Sequence, residues 1–167
     1  LALPFAIDYF DAATMALVVF FLPDPAQGIA EMKRVVRPGG SVAAYVWDVF
    51  GDGVPTAPIM SELRASSITY PLPPSADASR MEVLHSLWAD AELQSIETSV
   101  ITVERTFANF EEFWRTTALS PSLKPVLADL PEKTISQLQN AVSERLPADA
   151  EGQITYSSHA NAIKGLV

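Results

Sequence analysis

The sequence predicts an α/β fold built on a mostly parallel sheet whose last strand is antiparallel. Three observations lead to this prediction. An apolar run at residues 10–19 is followed by a capped helix and by a second apolar run at residues 41–47. Later, residues 93–107 alternate between apolar and polar side chains, as a half-buried strand does. The last residues, 153–167, begin with the same alternation and are predicted to form the final strand.

The composition limits the classes of protein that this chain can represent. It has 167 residues, of which 49% are hydrophobic and 19% charged, so we predict a single domain, residues 1–167, with a real core. A net charge of -9 repels phosphate groups, and we therefore expect no nucleic-acid partner. The absence of cysteine excludes disulfides, thiolate metal sites and a cysteine nucleophile. We expect no metal ion, no membrane span and a cytoplasmic location.

The first strand and helix have clear start and stop signals. Residues 10–19 are nearly all apolar or small, which is typical of a strand buried on both faces. Asp24 is a good helix N-cap, Pro25 suits the first helical position, and Gln27 has capping-box spacing. Pro-Gly-Gly at residues 38–40 is expected to stop the helix and reverse the chain. One helix face carries Ile29, Met32 and Val36.

The remaining elements follow from weaker patterns. A short helix is expected near residues 59–65 and another at residues 80–91. Residues 93–107 are predicted to be a long strand with one solvent-exposed face. A helical insert is predicted at residues 109–146. The late pair of strands is expected to be antiparallel and to add an edge hairpin to the parallel sheet.

Short motifs in the first part of the chain resemble those of a known family. They are Leu-Pro-Phe at residues 3–5, Phe-Asp at residues 10–11, Leu-Pro-Asp-Pro at residues 22–25 and Glu-Met-Lys-Arg-Val-Val-Arg-Pro-Gly-Gly at residues 31–40, followed by Trp47-Asp48. In this order they resemble class I S-adenosylmethionine-dependent methyltransferases, in particular the type 11 branch that acts on small molecules. The element order is similar to the C-terminal half of that fold, which is a partial Rossmann-like sheet made of the family's strands four to seven.

The resemblance implies S-adenosylmethionine as the cofactor. It places one wall of the cofactor site at Met15, Ala16, Leu17 and Phe20, at the end of the first strand and the turn after it. The family's Gly-rich loop and its ribose-binding acid have no counterpart in this sequence. We therefore expect weak or no cofactor binding and no activity from this chain alone. A nicotinamide enzyme is less favoured, because the sequence contains no Gly-x-Gly-x-x-Gly.

The candidate acceptor site consists of Trp47, Asp48, Phe113, Trp114 and His159. We expect no catalytic side chain, because methyl transfer from a sulfonium depends mostly on alignment and on exclusion of water. By resemblance, the helical insert would roof a small, largely apolar acceptor. The alternatives are that the aromatic residues form ordinary core, that Asp48 initiates a turn, and that His159 is an ordinary polar strand residue.

A second hypothesis treats the chain as a non-catalytic fragment or an interaction module. A truncated sheet would expose residues 11–19 as a long, apolar edge, and such edges pair with other strands. We therefore expect a homodimer, formed by edge pairing or by exchange of an element.

Overall fold

The computed structural model describes residues 2–167. Within them it contains the strands β1 (Phe10–Ala16), β2 (Val36–Trp47), β3 (Gln94–Phe107) and β4 (Ile154–Leu166). The helices are α1 (Pro25–Val35), α2 (Ala57–Ala65), α3 (Met81–Asp90), α4 (Phe110–Ala118), α5 (Lys124–Ala128) and α6 (Glu132–Arg145). Short 3-10 helices occur at Val19–Phe21 and Ala76–Ser79.

The four strands form one sheet in the order β1-β2-β4-β3. β1 and β2 are parallel, and β2 and β4 are antiparallel. Side-chain pairs between β3 and β4 run in opposite directions along the two strands, for example Lys164 with Glu97 and Thr155 with Thr106. The predicted α/β fold with an antiparallel last strand is therefore confirmed. In the edge hairpin formed by the last two strands, β3 is the outer strand and β4 lies between β2 and β3.

Helix α1 forms as its sequence signals predict. The Asp24 carboxylate accepts a hydrogen bond of 3.0 Å from the backbone N–H of Gln27, and Pro25 occupies the first helical position. This cap satisfies one of the donors that the first turn leaves unpaired. The helix face toward the core is buried at Gly28, Ile29, Met32 and Val35. Each buried large aliphatic side chain contributes about 1.5–3 kcal/mol.

The turn between α1 and β2 lies slightly earlier than predicted. α1 ends at Val35 and strand pairing begins at once, with Phe10 opposite Val36 but Ala12 opposite Ser41. The residues between these two pairings bulge out of the register. A Cβ atom at Gly40 would approach the carbonyl oxygen of Asp11 to 2.6 Å, so this position requires glycine.

The prediction that residues 10–19 form a strand buried on both faces is wrong. β1 ends at Ala16, and none of its seven residues is fully buried. The physical reason is its position: β1 is the outermost strand of the sheet, and β2 is the one strand it pairs with among the described residues. An apolar run of small residues therefore forms an edge here rather than an interior strand.

Strand β3 is also more exposed than predicted. Val100 and Val103, two apolar residues of this strand, are 57% and 46% exposed. Phe107 is its one buried residue. β3 lies at the opposite edge of the sheet, so it too pairs with one neighbour within the described chain.

The chain divides into two compact units. The first comprises the described residues up to Gly51 together with Pro73–Ile101 and His159–Val167. In its core Trp88 is fully buried, and its indole N–H donates a hydrogen bond of 3.1 Å to the carbonyl oxygen of Val42. The second unit comprises Asp52–Leu72 and Thr102–Ser158. It contains α4, α5 and α6 from the predicted insert.

Candidate functional site

The carboxyl ends of β1 and β2 lie at the same edge of the sheet. The two strands are parallel, with Ala16 opposite Tyr45, so Leu17 and Asp48 each begin a connection on this side. In open α/β sheets, ligands bind outside the carboxyl ends of the strands. We call this side of the sheet the carboxyl edge. A ligand-binding site is expected here.

Three predicted cofactor residues lie at the end of β1. Ala16 is exposed, whereas Met15 is half-buried and packs over α1. The Cε atom of Met15 would lie 3.3 Å from a Cβ atom built at Gly28 of that helix. The backbone N–H of Leu17 donates to the carbonyl oxygen of Tyr45 at 2.8 Å. With a φ of 59°, Leu17 then turns the chain out of the strand.

Phe20, the fourth predicted cofactor residue, packs inside the first unit. It is 5% exposed, and its carbonyl oxygen accepts a hydrogen bond of 3.0 Å from the backbone N–H of Ser75. Phe21 meets it edge to face at 4.4 Å and is 59% exposed. Phe21 therefore presents the accessible aromatic surface after β1.

Trp47, Asp48 and His159 come together at the end of β2. Trp47 is the last residue of β2 and pairs with Ala160 of β4. One step further, the backbone N–H of Asp48 donates to the carbonyl oxygen of His159 at 3.2 Å. The imidazole Nε2 of His159 lies 3.6 Å from Oδ2 of Asp48. The structure thus pairs two side chains that the sequence suggested only separately.

Asp48 also has the turn-initiating role that the sequence left open. Its Oδ1 accepts a hydrogen bond of 2.9 Å from the backbone N–H of Gly51. A Cβ atom at residue 51 would collide with the Asp48 carboxylate, so glycine is needed for this arrangement. The sequence shows the spacing Asp-x-x-Gly that predicts this turn. It gives no sign that His159 is the partner of Asp48.

Two further residues hold the loop after β2. The hydroxyl oxygen of the fully buried Ser79 accepts from the backbone N–H of Val49 at 3.3 Å. The side-chain amide of Asn161 donates to the Ser79 carbonyl oxygen at 2.8 Å. No local pattern pointed to Ser79, because its partners are 30 and 82 residues away in the chain.

An exposed aromatic residue lies close to this loop. Phe50 is 41% exposed, and the guanidinium of Arg80 stacks on its ring at 3.8 Å. Arg80 also pairs with Asp77 at 3.2 Å. Together with Trp47 and Phe21, Phe50 gives the carboxyl edge an aromatic character.

Phe113 and Trp114 belong to the second unit. Phe113 is fully buried and meets Phe107 edge to face at 5.2 Å. Trp114 is half-buried beside Phe110, with 6.2 Å between the ring centres. Phe113 therefore offers no accessible surface, and the predicted aromatic roof of the site stays a prediction.

Residues 2–167 contain neither a metal-binding cluster nor a membrane-spanning helix. No cluster of three or more His, Asp or Glu side chains in this range is placed to hold a metal ion. None of the helices described there combines the length and the apolar character needed to cross a membrane.

Comparison with known proteins supports the resemblance seen in the sequence. The family model for a methyltransferase domain (type 11) matches residues 1–44, a segment that ends inside β2. Uncharacterized proteins of Mycobacterium tuberculosis and Mycobacterium bovis are 39% identical to this chain over 75 residues. This match covers 45% of the chain and 27% of each of those proteins.

Solved structures agree on the fold. A candidate methyltransferase of Bacillus halodurans is similar with a TM-score of 0.53 and 16% identity, over 98% of this chain and 67% of that one. The YcgJ protein of Bacillus subtilis gives a TM-score of 0.52 and 14% identity, over 99% and 67%. The resemblance to class I methyltransferases is confirmed. At these identities the structural similarity concerns the fold, and activity has to be argued from the site.

Proposed function

We propose that the whole protein transfers a methyl group from S-adenosylmethionine to a small, largely apolar acceptor. The observation that carries this proposal is the match of residues 1–44 to a methyltransferase domain. That segment builds β1, α1 and most of β2, and so it positions the carboxyl edge. The order β1-β2-β4-β3 and the two solved structures are consistent with the same fold.

The residues of the carboxyl edge fit a cationic ligand with an aromatic part. Asp48 supplies a negative charge, with 22% of its side chain exposed, and Phe21 supplies an accessible ring. When bound, S-adenosylmethionine supplies a methyl group on a positively charged sulfur. Ala16 and Leu17 would line the cofactor side of this edge. The more buried Met15 and Phe20 would support that wall from behind.

The acceptor would lie on the side of Trp47 and Phe50. Aromatic side chains at the mouth of a site bind an apolar molecule and exclude water from it. The transfer then requires mainly that the attacking atom be held in line with the methyl group. This chemistry agrees with the prediction that the acceptor is largely apolar.

Cofactor binding is the direct test. S-adenosylhomocysteine would be titrated by calorimetry into this chain and into the full-length natural protein. For the full-length protein we expect a dissociation constant of about 1–100 μM. This corresponds to a binding free energy between about -8 and -5 kcal/mol. For the isolated chain we expect binding at least about 100-fold weaker, since its sequence has no counterpart of the glycine-rich cofactor loop. Lack of binding by the full-length protein would refute the proposal.

A second candidate function is pairing between copies of this chain through β1. The N–H of Leu17 points toward β2, and N–H groups alternate along a strand, so those of Ala16 and Thr14 point to the open edge. Such an edge can pair with another strand. In sedimentation velocity we expect a concentration-dependent dimer that Thr14→Pro abolishes and Thr14→Val retains. A monomer at every concentration would contradict this candidate.

A further inference from the structure

The side-chain pair of Asp48 and His159 is built by the register of the sheet. Trp47 of β2 lies opposite Ala160 of β4, and the next position brings Asp48 opposite His159. The backbone hydrogen bond of 3.2 Å between them fixes the Cα positions. Nε2 of the imidazole then lies 3.6 Å from Oδ2 of the carboxylate. The pair thus depends on strand pairing rather than on a mobile loop.

The Asp48 carboxylate is oriented by a second contact. Its Oδ1 is engaged by the N–H of Gly51 at 2.9 Å, so its Oδ2 is the oxygen that faces the imidazole. Ser79 and Asn161 hold the adjacent loop and strand by buried hydrogen bonds. An oriented carboxylate selects the imidazole tautomer that carries its proton on the facing nitrogen. Nε2 faces the carboxylate at 3.6 Å, which is an ion-pair distance rather than a hydrogen bond, and a base role for this imidazole requires the proton on Nε2 and the lone pair on Nδ1.

The pair is accessible at the edge where an acceptor would lie. The His159 side chain is 34% exposed, and that of Asp48 is 22% exposed. Arg80 stacks on Phe50, two residues after Asp48, and is paired with Asp77. A carboxylate that orients an imidazole, which in turn reaches a reacting group, is a recurring arrangement for proton removal.

We propose that His159 is the general base of this site and that Asp48 is the residue that positions it. This inference rests on the proposed methyl transfer and deepens it by naming the class of acceptor. That class is a molecule whose attacking oxygen or azole nitrogen carries a proton, such as a phenol, an alcohol or an azole.

The proposed step moves one proton and one methyl group. The acceptor O–H or N–H gives its proton to Nδ1 of His159, while its electron pair forms the new bond to the methyl carbon. The bond between that carbon and sulfur breaks, and its electrons stay on the sulfur, which becomes a neutral thioether. The resulting imidazolium is stabilised by the Asp48 carboxylate until its proton passes to water.

The first experiment reads the tautomer directly and needs no activity. The chain has two histidines, and His85 is exposed on α3, so it serves as an internal reference. Long-range ¹H–¹⁵N correlation spectra of the neutral imidazoles would be recorded for the chain. We expect a larger fraction of the Nε2–H tautomer at His159 than at His85, and loss of this difference in Asp48→Ala. Equal tautomer fractions in the unmodified chain would overturn the proposed pair.

The second experiment tests the base role in the full-length protein. His159→Gln should lower kcat about 10²–10⁴-fold with phenol or benzyl alcohol as acceptor. It should change kcat less than about twofold with N,N-dimethylaniline or thioanisole, which have no proton to lose. His85→Gln is the matched control and should change neither rate.

The outcomes separate the two proposals. An equal loss of rate for both acceptor groups, or no loss for either, would overturn the base role of His159 and leave the proposed methyl transfer standing. If the full-length protein methylates none of these acceptors and binds no S-adenosylhomocysteine, the proposed function is overturned, and the base role with it. The NMR result would then still decide whether the side-chain pair exists.

Discussion

The indole N–H of Trp88 in α3 donates a hydrogen bond of 3.1 Å to the carbonyl oxygen of Val42 in β2. Both residues are fully buried, so this contact joins helix and sheet inside the core of the first unit. The indole ring of Trp88 also packs against β4. A Cβ atom built at Gly165 of β4 would lie 3.1 Å from Cδ1 of Trp88. Trp88 therefore links β2, β4 and α3.

Substitution of Trp88 should separate packing from hydrogen bonding. We expect Trp88→Phe, which keeps most of the ring but loses the donor, to lower the free energy of unfolding by about 1–2 kcal/mol. Trp88→Ala should lower it by about 3–5 kcal/mol, since it also leaves a cavity. Urea denaturation measures both values. Leu87→Ala, at a half-buried position of the same helix, is the control and should cost less than Trp88→Ala.

The helices and strands of this chain were largely predictable because their signals are local. The Asp24 cap, Pro25 and the buried Ile29 and Met32 all lie within one segment and have the predicted roles. Val36, which was predicted on the same helix face, instead begins β2. The order of the elements and the antiparallel last strand followed from the same kind of pattern. Periodicity alone, however, reports that a strand is apolar and does not report which neighbours it has.

The errors occur where long-range placement decides burial. The small apolar residues of β1 suit an interior strand, and yet β1 is an edge of the described sheet, as the second hypothesis expected. Strand β3 was expected to have one buried face, and yet Val100 is 57% exposed and the strand is the other edge of the sheet. Similarly, the pairing of Asp48 with His159 depends on the register between β2 and β4, which no short motif encodes.

Stability should depend on the ionisation of Glu31 in acid. Hydrogen bonds from the Arg34 guanidinium and from the backbone N–H of Leu3 hold the pKa of Glu31 at about 2, below its ordinary value of 4.5. A lowered carboxyl pKa gives stability that is fully present above the ordinary pKa and is lost as the pH falls through about 2. The stability difference between the unmodified chain and Glu31→Gln should therefore be constant above about pH 5.5.

The difference in stability between the unmodified chain and Glu31→Gln should shrink as the pH falls from about 4.5 toward 2. Thermal denaturation at a series of pH values would measure it. A carboxyl resonance of Glu31 that titrates at its ordinary value in a ¹³C NMR experiment would contradict the cause assigned here. Glu111→Gln is a suitable control, because Glu111 is an exposed acid in the first turn of another helix, α4.

Gly51→Ala should disconnect Asp48 from His159 without altering either side chain. The new Cβ would collide with the Asp48 carboxylate, which would have to leave its position between the Gly51 N–H and the imidazole. We expect the NMR tautomer fraction of His159 to approach that of His85, as in Asp48→Ala, while the His85 signals stay unchanged. A His159 spectrum identical to that of the unmodified chain would show that the carboxylate does not depend on Gly51.

The ion pair of Glu62 and Arg145 should stabilise the packing of α2 against α6 in the second unit. Arg145 Nε lies 2.6 Å from Glu62 Oε1, an oxygen that is buried and receives no well-directed hydrogen bond. The contact is thus an ion pair by distance, between a 9% exposed carboxylate and a 59% exposed arginine side chain. Removing the arginine leaves the buried charge without its partner, which is costly in itself.

We therefore expect Arg145→Met to lower the free energy of unfolding by about 1–3 kcal/mol, less than for a fully buried pair because solvent screens the arginine. Glu62→Met combined with Arg145→Met should recover most of this loss, since no charge is then left buried. A double-mutant cycle in urea, completed with Glu62→Met, gives the coupling energy of the two residues. If the double variant is as unstable as Arg145→Met alone, the loss comes from the packing of the arginine stem rather than from the unpaired carboxylate.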